Sequence, residues 1–243
     1  MNQSVQEFSR RFQCLSGAQL KVIAMVTMLM DHVNKAIIYP NLVSKNGFLP
    51  IVSNLFDILG RIAFPLFCFL LVEGFFKTRN RGKYLLNLLL FGVLSEVPFD
   101  MFVSASFYNA NWNNVMFSLA LVLVTIWLVD SLKAIMKNQP TVCWYFASIG
   151  IVLVMCAVAM LLSVDYEHHA ILIGYFFYLF HDAPLLAIPF CYASIYTAPW
   201  ALLGFFLTLT YNGQRGRQSK WVNYGFYPVH LLILGALRML FGI

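Results

Sequence analysis

Charged residues are scarce in this sequence. They make up 11% of its 243 residues, whereas ordinary soluble domains carry about 25%. Hydrophobic residues account for 60%, and the mean hydropathy is +0.75. This leaves too little polar surface to cover a water-soluble globule. The composition therefore excludes an ordinary soluble domain and predicts an integral membrane protein that is surrounded by membrane lipids.

Several familiar chemical motifs are also missing. None of the five cysteines forms a CxxC pair, and four of them lie within apolar runs, which favours packing thiols over redox or metal chemistry. The sequence has no Walker motif, no GxSxG and no His, Cys and Asp cluster with a strong metal spacing, so we expect no bound metal. The first apolar run lacks a small-residue cleavage site, and we therefore expect a retained helix rather than a signal peptide.

Long apolar runs dominate the rest of the chain. Because a helix needs about 20 apolar residues to cross the hydrocarbon core, the runs predict an all-α, polytopic bundle of about nine transmembrane helices. We expect a single transmembrane domain, 1–243, that begins with a polar segment, 1–19. The predicted spans are 20–39, 57–76, 84–104, 114–135, 142–162, 168–180, 184–196, 199–211 and 224–241. The sixth to eighth are short and separated by prolines, so the count there is open by one or two.

The distribution of Lys and Arg predicts the orientation. Cytoplasmic loops carry an excess of these residues, and if the helices alternate, four basic segments fall on one side: 10–21, 77–83, 133–137 and 215–220. The opposite side carries only Lys35 and Lys45. We therefore expect a cytoplasmic N-terminus and an external C-terminus. The net charge of +6 is explained by this topology, and no nucleic-acid partner is expected.

Charged residues interrupt several of the predicted spans. In the stretch MVTMLMDHVNKAI, Asp31 and His32 stand side by side. Asp31 follows Leu20 by eleven residues, which places it about 16 Å into a core of about 30 Å. An isolated charge near the bilayer centre costs about 2.5–3.5 kcal/mol on insertion scales. Together with Arg61 and Glu96, Asp31 therefore predicts either mutual pairing or a hydrated cavity.

Several interpretations of these residues compete. One is structural: Arg61 pairs with Asp31 or Glu96 to lock helices together, and His32 bonds a neighbouring carbonyl. A second is the proton relay of a proton-coupled transporter or exporter, which uses the same residue types. No convincing inverted repeat is visible, which weighs against a transporter. A third is a reaction chamber inside the bundle, and a fourth is a membrane assembly factor without catalytic activity.

Four stretches resemble the TraX family of polytopic membrane proteins. They are LKVIAMVTMLMDHV, the long block GRIAFPLFCFLLVEGFFKTRNRGKYLLNLLLFGVLSEVPFD, NNVMFSLAL and YPVHLLIL. The residues that these stretches carry include Lys21, Asp31, His32, Arg61, Glu96, Asn113, Asn114 and His230. The stretch DYEHHAILIGYFFYLF is similar to an Asp-Tyr-Gly segment of the family, except that Glu167 stands where a glycine is usual.

The resemblance implies an activity. The family is named for the factor that acetylates the N-terminus of conjugative F-type pilin, and it is similar to a wider set of membrane acyltransferases. It therefore implies a bacterial inner-membrane acetyltransferase that uses acetyl-coenzyme A as donor and a pilin or a surface polymer as acceptor. The inner basic loops, 77–83 and 215–220, are candidates to bind the donor phosphates, although topology alone also explains them. The predicted donor-binding residues are Lys77, Arg79, Arg81 and Lys83.

The polar residues inside the spans form the predicted catalytic set. Its members are His32, Asp31, Arg61, Glu96, His230 and Asn114. A histidine suits the role of base or acetyl carrier because its pKa lies near neutrality, and the choice between the two histidines is left open. A neighbouring carboxylate can fix the tautomer and stabilise the imidazolium. The Arg61 guanidinium or the Asn114 amide can stabilise the thioester oxyanion.

Overall fold

A computed structural model describes residues 12–42 and 47–242 of the protein, and most of these residues are helical. This part of the chain contains ten α-helices and no β-strand, so the all-α prediction is confirmed. A π-helical turn (Asn34–Ile38) and a 3-10 turn (Tyr39–Asn41) extend the first helix. The helices are α1 (Gly17–Val33), α2 (Phe48–Gly60), α3 (Ala63–Lys77), α4 (Arg81–Ser104), α5 (Val115–Ile135), α6 (Thr141–Leu161), α7 (Glu167–Leu179), α8 (Pro184–Ser194), α9 (Ala201–Thr208) and α10 (Lys220–Phe241).

Within the residues that the structure describes, six helical stretches are long and apolar enough to cross a membrane. They are Gly17–Asn41, Phe48–Lys77, Arg81–Ser104, Val115–Ile135, Thr141–Leu161 and Val222–Phe241. The predicted count of nine is not confirmed, because α7, α8 and α9 have only 13, 11 and 8 residues. At 1.5 Å per residue, α8 reaches about 16 Å, roughly half of the hydrocarbon thickness.

The second span is a broken helix and begins earlier than predicted. It starts at Phe48 and consists of α2 and α3. At the break the Ile62 amide bonds the Leu59 carbonyl, three residues back, which tightens the turn. Here Gly60 packs directly on α1: a Cβ at this position would lie 2.7 Å from Asp31 Oδ1. The break therefore brings the α2–α3 junction against the Asp31 carboxylate.

The basic connections gather at one end of the bundle, which we call the basic end. The Leu15 amide donates to the Thr210 carbonyl at 2.9 Å and so joins the N-terminal segment to the connection before α10. The Lys77 ammonium donates to the Gly213 carbonyl at 2.8 Å in that same connection. The ion pair of Arg81 with Asp130 (2.7 Å) ties the start of α4 to the end of α5. The clustering matches the predicted segregation of Lys and Arg.

The opposite end joins two connections that contain no Lys or Arg, 105–114 and 162–166. The Asn113 amide donates to the Ser163 carbonyl (3.0 Å), and the Asp165 amide donates to the Asn113 carbonyl (2.8 Å). These reciprocal bonds hold the α4–α5 connection against the α6–α7 connection. The side of the membrane that each end faces stays a prediction.

Helix α3 occupies the centre of the bundle. It packs against α1, α5, α7 and α9, and its core residues Leu66, Leu71 and Phe75 are buried. A helix that is apolar on all sides suits this position. The last helix, α10, packs along α4 and also contacts α1. The first helix therefore neighbours both the third and the last, and the last also neighbours the fourth.

The topology can be tested by labelling. In a variant without native cysteines, we expect Ala110→Cys, at the opposite end, to react with a membrane-impermeant maleimide in intact cells. Gln139→Cys, at the basic end, should react only after permeabilisation, because basic connections remain in the cytoplasm. Both positions are exposed, so access to the reagent is the only difference. The reverse labelling pattern would contradict the predicted orientation.

The close packing at Gly60 predicts a stability effect. Gly60→Ala places a methyl group on the Asp31 carboxylate, and overpacking of this kind costs about 1–3 kcal/mol. We expect a lower midpoint of thermal unfolding in detergent. The matched control is Gly150→Ala on α6, where a Cβ meets nothing within 4 Å and alanine favours the helix. Equal midpoints for the two variants would show that the α2–α3 junction does not press on Asp31.

Candidate functional site

A large cavity extends through the bundle from the basic end to the opposite end. Its volume is about 1940 Å³. At the basic end it is lined by cations, and near the opposite end by Trp112, Asp165 and Tyr166. Between them lie apolar side chains such as Met28, Phe67 and Leu88. The polar residues that interrupt α1, Asp31 and His32, both line this space.

The two candidate histidines meet beside the cavity. His32 Nδ1 and His230 Nε2 are 2.7 Å apart, and the two rings are almost parallel, with centroids 5.0 Å apart. This contact joins α1 to α10. Phe102 of α4 packs on His32 at 4.8 Å, and Phe226 packs on His230 at 4.7 Å. The structure therefore unites two residues that the sequence places 198 positions apart.

The hydrogen bonds of this pair set both tautomers. His230 Nδ1 lies 2.7 Å from the Phe226 carbonyl oxygen. A carbonyl only accepts, so this nitrogen carries the hydrogen. In neutral His230 the Nε2 atom is then an acceptor, and His32 Nδ1 must donate to it. His32 Nε2 is consequently left with a free lone pair, which makes it the basic nitrogen of the pair.

The Asp31 carboxylate lies next to that nitrogen. Its Oδ2 atom is 3.9 Å from His32 Nε2 and accepts a 2.7 Å ion-pair hydrogen bond from Lys35, one helical turn further. Its Oδ1 atom is buried without a hydrogen-bond partner, next to Gly60. The 3.9 Å separation is too long for a hydrogen bond. A proton on His32 Nε2 would face a carboxylate and be stabilised by it.

The structural interpretation paired Arg61 with Asp31 or Glu96, but Arg61 has a different partner. Its Nη2 atom pairs with Asp57 Oδ1 at 2.7 Å, an i, i+4 contact across the end of α2. The predicted pairs with Asp31 and Glu96 are not formed. Arg61 nevertheless lines the cavity, and the pair with Asp57 is partly exposed. Arg61 therefore borders the cavity while its guanidinium is paired with Asp57.

Glu96 and Asn114 are placed together but away from the cavity lining. The Asn114 side-chain amide donates to Glu96 Oε2 and, at 2.8 Å, to the Gly92 carbonyl of α4. Its oxygen accepts from the Met116 amide at 3.0 Å and so caps α5. These bonds clasp α4 to α5. The structure gives both residues a structural role and does not bring them to the histidine pair.

The cations at the basic end differ in part from the predicted donor-binding set. Lys77 and Lys83 line the cavity, as do Lys21, Arg215 and Arg217. Arg79 is exposed outside it. Arg81 is occupied, because its guanidinium pairs with Asp130 and lies 3.9 Å above the Phe75 ring. The five lining cations make a positively charged mouth, which we call the basic mouth.

Among the lining residues that were absent from the predicted set are Lys35 and Asp165. Lys35 lies one turn after Asp31, a spacing that could have indicated the pair. Asp165 lies in the DYE segment at the opposite end. Burial raises the pKa of Asp165 to about 6, while the Lys35 ammonium and the Tyr166 amide oppose that rise. In the described part of the chain no group of three or more His, Cys, Asp or Glu is arranged to hold a metal ion.

Comparison with known proteins identifies the family. The model of the family described as "TraX protein" matches residues 16–238. The chain is also 33% identical over 248 residues to a protein named "Probable fimbrial assembly protein FimC, serogroup H1" from Dichelobacter nodosus, an alignment that covers 92% of this chain and 96% of that protein. No solved structure matches this chain. The histidine pair and the basic mouth both fall within the matched range, and the chain belongs to the TraX family.

Proposed function

We propose that the protein transfers an acetyl group from acetyl-coenzyme A to an amine or hydroxyl acceptor. The observation that carries this proposal is the continuity of the cavity, which joins a mouth of five cations to His32, the residue whose Nε2 atom the histidine pair leaves free. Acetyl transfer from acetyl-coenzyme A requires a binding site for a polyanionic donor and a general base close to it. The proposal places the protein in a bacterial inner membrane with its basic end in the cytoplasm.

The geometry suits a donor that enters from the basic mouth. Acetyl-coenzyme A carries phosphates that Lys and Arg side chains bind by charge-assisted hydrogen bonds. Lys21 and His32 lie on the same helix, eleven residues apart, a rise of about 16 Å. When the phosphates of the donor are bound at the basic mouth, its long and flexible thiol arm can extend inward towards His32. The apolar walls at Phe67 and Leu88 fit the thioester end better than the phosphates.

The reaction follows from the position of the base. His32 Nε2 takes a proton from the acceptor as the acceptor's nitrogen or oxygen attacks the thioester carbonyl. The carbon–sulfur bond then breaks, and the leaving thiolate receives the proton from His32. Asp31 stabilises the imidazolium between these steps. Arg61, which also lines the cavity, is the residue proposed to stabilise the oxyanion that forms on the thioester carbonyl. His230 holds the tautomer that leaves Nε2 free.

The family and the relative suggest an acceptor. Membership of the TraX family, together with 33% identity to a protein named as a probable fimbrial assembly protein, supports a pilin or fimbrial subunit, with a surface polymer as the alternative. The same name favours a second candidate function, assembly without catalysis. Dependence on coenzyme A separates the two, since a purely structural assembly factor has no use for it.

The basic mouth gives the first test. We expect purified protein in nanodiscs to bind acetyl-coenzyme A, and the quadruple variant Lys21→Gln, Lys83→Gln, Arg215→Gln, Arg217→Gln to lose at least about 10-fold in affinity, because charge-assisted hydrogen bonds contribute about 1.5–3 kcal/mol each. High salt should reproduce part of the loss. Calorimetry measures both effects.

The control for this test is the double variant Arg79→Gln, Lys137→Gln. Both residues are exposed and neither lines the cavity, so its affinity should match wild type. Absence of binding to wild-type protein would reject the acetyltransferase proposal. Equal losses in the quadruple and the control variants would reject only the assignment of the mouth.

The histidine pair gives the second test. We expect His32→Gln to lower acetyl transfer by about 100-fold or more, since a general base contributes about 10²–10⁴-fold. His230→Gln should retain more activity, because its amide oxygen can still accept from His32 Nδ1–H, whereas His230→Leu should fall close to His32→Gln. Transfer is measured with radiolabelled acetyl-coenzyme A at matched protein levels. Wild-type turnover by His32→Gln, or a deeper loss in His230→Gln, would reverse the assignment of the base.

A further inference from the structure

Two of the five cations of the basic mouth lie on a connection outside the helices. This connection, residues 209–219, joins α9 to α10, and we call it the arginine connection. Arg215 and Arg217 both line the cavity. The backbone turns at Gly213, with φ of 78°, and at Gly216, with φ of 71°, angles that glycine adopts without strain. A segment without a helix of its own depends on its neighbours for its position.

The start of α1 holds one side of the arginine connection. The Gly17 amide donates to the Gln214 carbonyl at 2.8 Å, and the Ala18 amide donates to the Arg215 carbonyl at 2.9 Å. Both amides belong to the first turn of α1, where amides have no partner within the helix. Gly216 packs so closely here that a Cβ would lie 2.7 Å from the Ala18 Cβ. These two amides are therefore used by the connection rather than by an anion.

The end of α3 holds the other side through Lys77. Its ammonium donates to the Gly213 carbonyl at 2.8 Å and to the Tyr211 hydroxyl. It also pairs with Glu73 Oε2 at 2.8 Å, one helical turn earlier. An ammonium has three hydrogens, and these three acceptors use all of them. Although Lys77 lines the cavity, it has no hydrogen left for a phosphate.

Glu73 is held on its other side as well. Its Oε1 atom lies 2.9 Å from His181 Nε2, in the connection between α7 and α8. A carboxylate only accepts, so this nitrogen carries the hydrogen. Both oxygens of Glu73 are thus engaged, one by His181 and one by Lys77. The acid that lines the cavity beside Lys77 is therefore neutralised and fixed in place.

The other cations of the basic mouth are not committed in this way. Between residues 12 and 42 and between 47 and 242, no Asp or Glu side chain forms an ion pair with Lys21, Lys83, Arg215 or Arg217. Their side-chain hydrogens remain for a ligand, whereas those of Lys77 are used within the protein. The five lining cations therefore fall into two groups.

We propose that Glu73 and Lys77 are a positioning pair: they hold the arginine connection so that Arg215 and Arg217 reach the donor, while Lys77 itself does not contact it. This inference rests on the proposed donor binding and divides the cations of the mouth into binding and positioning residues. It replaces the phosphate contact that the sequence predicts for Lys77 by a contact with the protein's own backbone. Loss of the pair releases the connection and with it both arginines.

Limited proteolysis tests the position of the connection without any ligand. The double variant Glu73→Gln, Lys77→Met removes one negative and one positive charge, so the net charge is unchanged. We expect trypsin to cleave this protein in nanodiscs after Arg215 and Arg217 at least about 10-fold faster than wild type, because hydrogen bonds to a charged group keep the connection closed. Mass spectrometry of the fragments measures the rate. A lysine that only binds phosphate would leave the rate unchanged, and an unchanged rate overturns the proposal.

Two further variants accompany this test. Tyr211→Phe removes one acceptor of Lys77 and keeps the ion pair with Glu73, so its cleavage rate should lie between those of wild type and the double variant. If the double variant does not fold, Tyr211→Phe decides alone, and wild-type cleavage overturns the proposal. The matched control is Lys137→Met, since Lys137 is exposed and does not line the cavity. It should be cleaved as wild type, and equal acceleration in this control also counts against the pair.

Affinity for acetyl-coenzyme A tests whether the pair acts through the arginines. We expect the double variant to bind the donor at least about 10-fold more weakly than wild type. In protein that already carries Arg215→Gln and Arg217→Gln, the same double change should lower the affinity by less than about 2-fold, because the effects of residues that act through one another are not additive. Calorimetry measures all four proteins. A direct contact of Lys77 would be lost in both backgrounds, so equal losses contradict the positioning role.

The proposed acetyl transfer and this inference fail separately. If wild-type protein does not bind acetyl-coenzyme A, the acetyl transfer is rejected, and the same four proteins are measured with inorganic pyrophosphate, which tests the mouth as an anion site alone. Non-additive losses with pyrophosphate then support the positioning pair, whereas absence of pyrophosphate binding overturns it. If acetyl-coenzyme A binds and the losses are equal in both backgrounds, the donor site stands and the positioning pair fails.

Discussion

The hydrogen bond between His32 and His230 is the contact on which the candidate site depends. It joins the first and last helices at 2.7 Å, and it acts in a medium where an unmade hydrogen bond is costly. Because the Phe226 carbonyl fixes one ring and that ring fixes the other, a single lone pair is left over, on the ring that faces the cavity. A pair held in this way is preorganised: the base needs no rearrangement before it receives a proton.

The remaining polar groups of the bundle fall into two kinds. Some are fully used within the protein, such as Asn114, which clasps α4 to α5, and Arg81, which is held by Asp130 and Phe75. Others keep an unpartnered atom, such as Oδ1 of the cavity-lining Asp31, which is buried next to Gly60. Hydrogen bonds and ion pairs lower the free-energy cost of burying groups of the first kind, whereas the unpartnered atoms of the second kind retain that cost. This distinction separates the scaffold from the candidate site.

Much of the fold could be read from the sequence, but only part of the site. Apolar runs of 20 residues predict long spans reliably, because length and composition alone determine whether a helix can cross. The runs 168–180, 184–196 and 199–211 were counted as spans although each has only 13 residues, which is well below this length. Arg61 was assigned a long-range partner although Asp57 stands at the i, i+4 position, a local signal that was available. The contact between Glu96 and Asn114 and the position of Asp165 at the cavity depend on how distant helices pack, which no local sequence pattern encodes.

The short helices have a consequence for the lipid around the protein. Helices α8 and α9 have 11 and 8 residues, about 16 and 12 Å, and they turn apolar side chains such as Phe190 and Phe206 outward. The turn between them satisfies its own amides, for example Ala198 to the Ile195 carbonyl, so it tolerates a medium without water. A bilayer of about 30 Å can meet so short a flank by thinning, by snorkelling of flanking residues or by association of the flank with another protein. On this side we therefore expect a zone of hydrophobic mismatch between the protein and the bilayer.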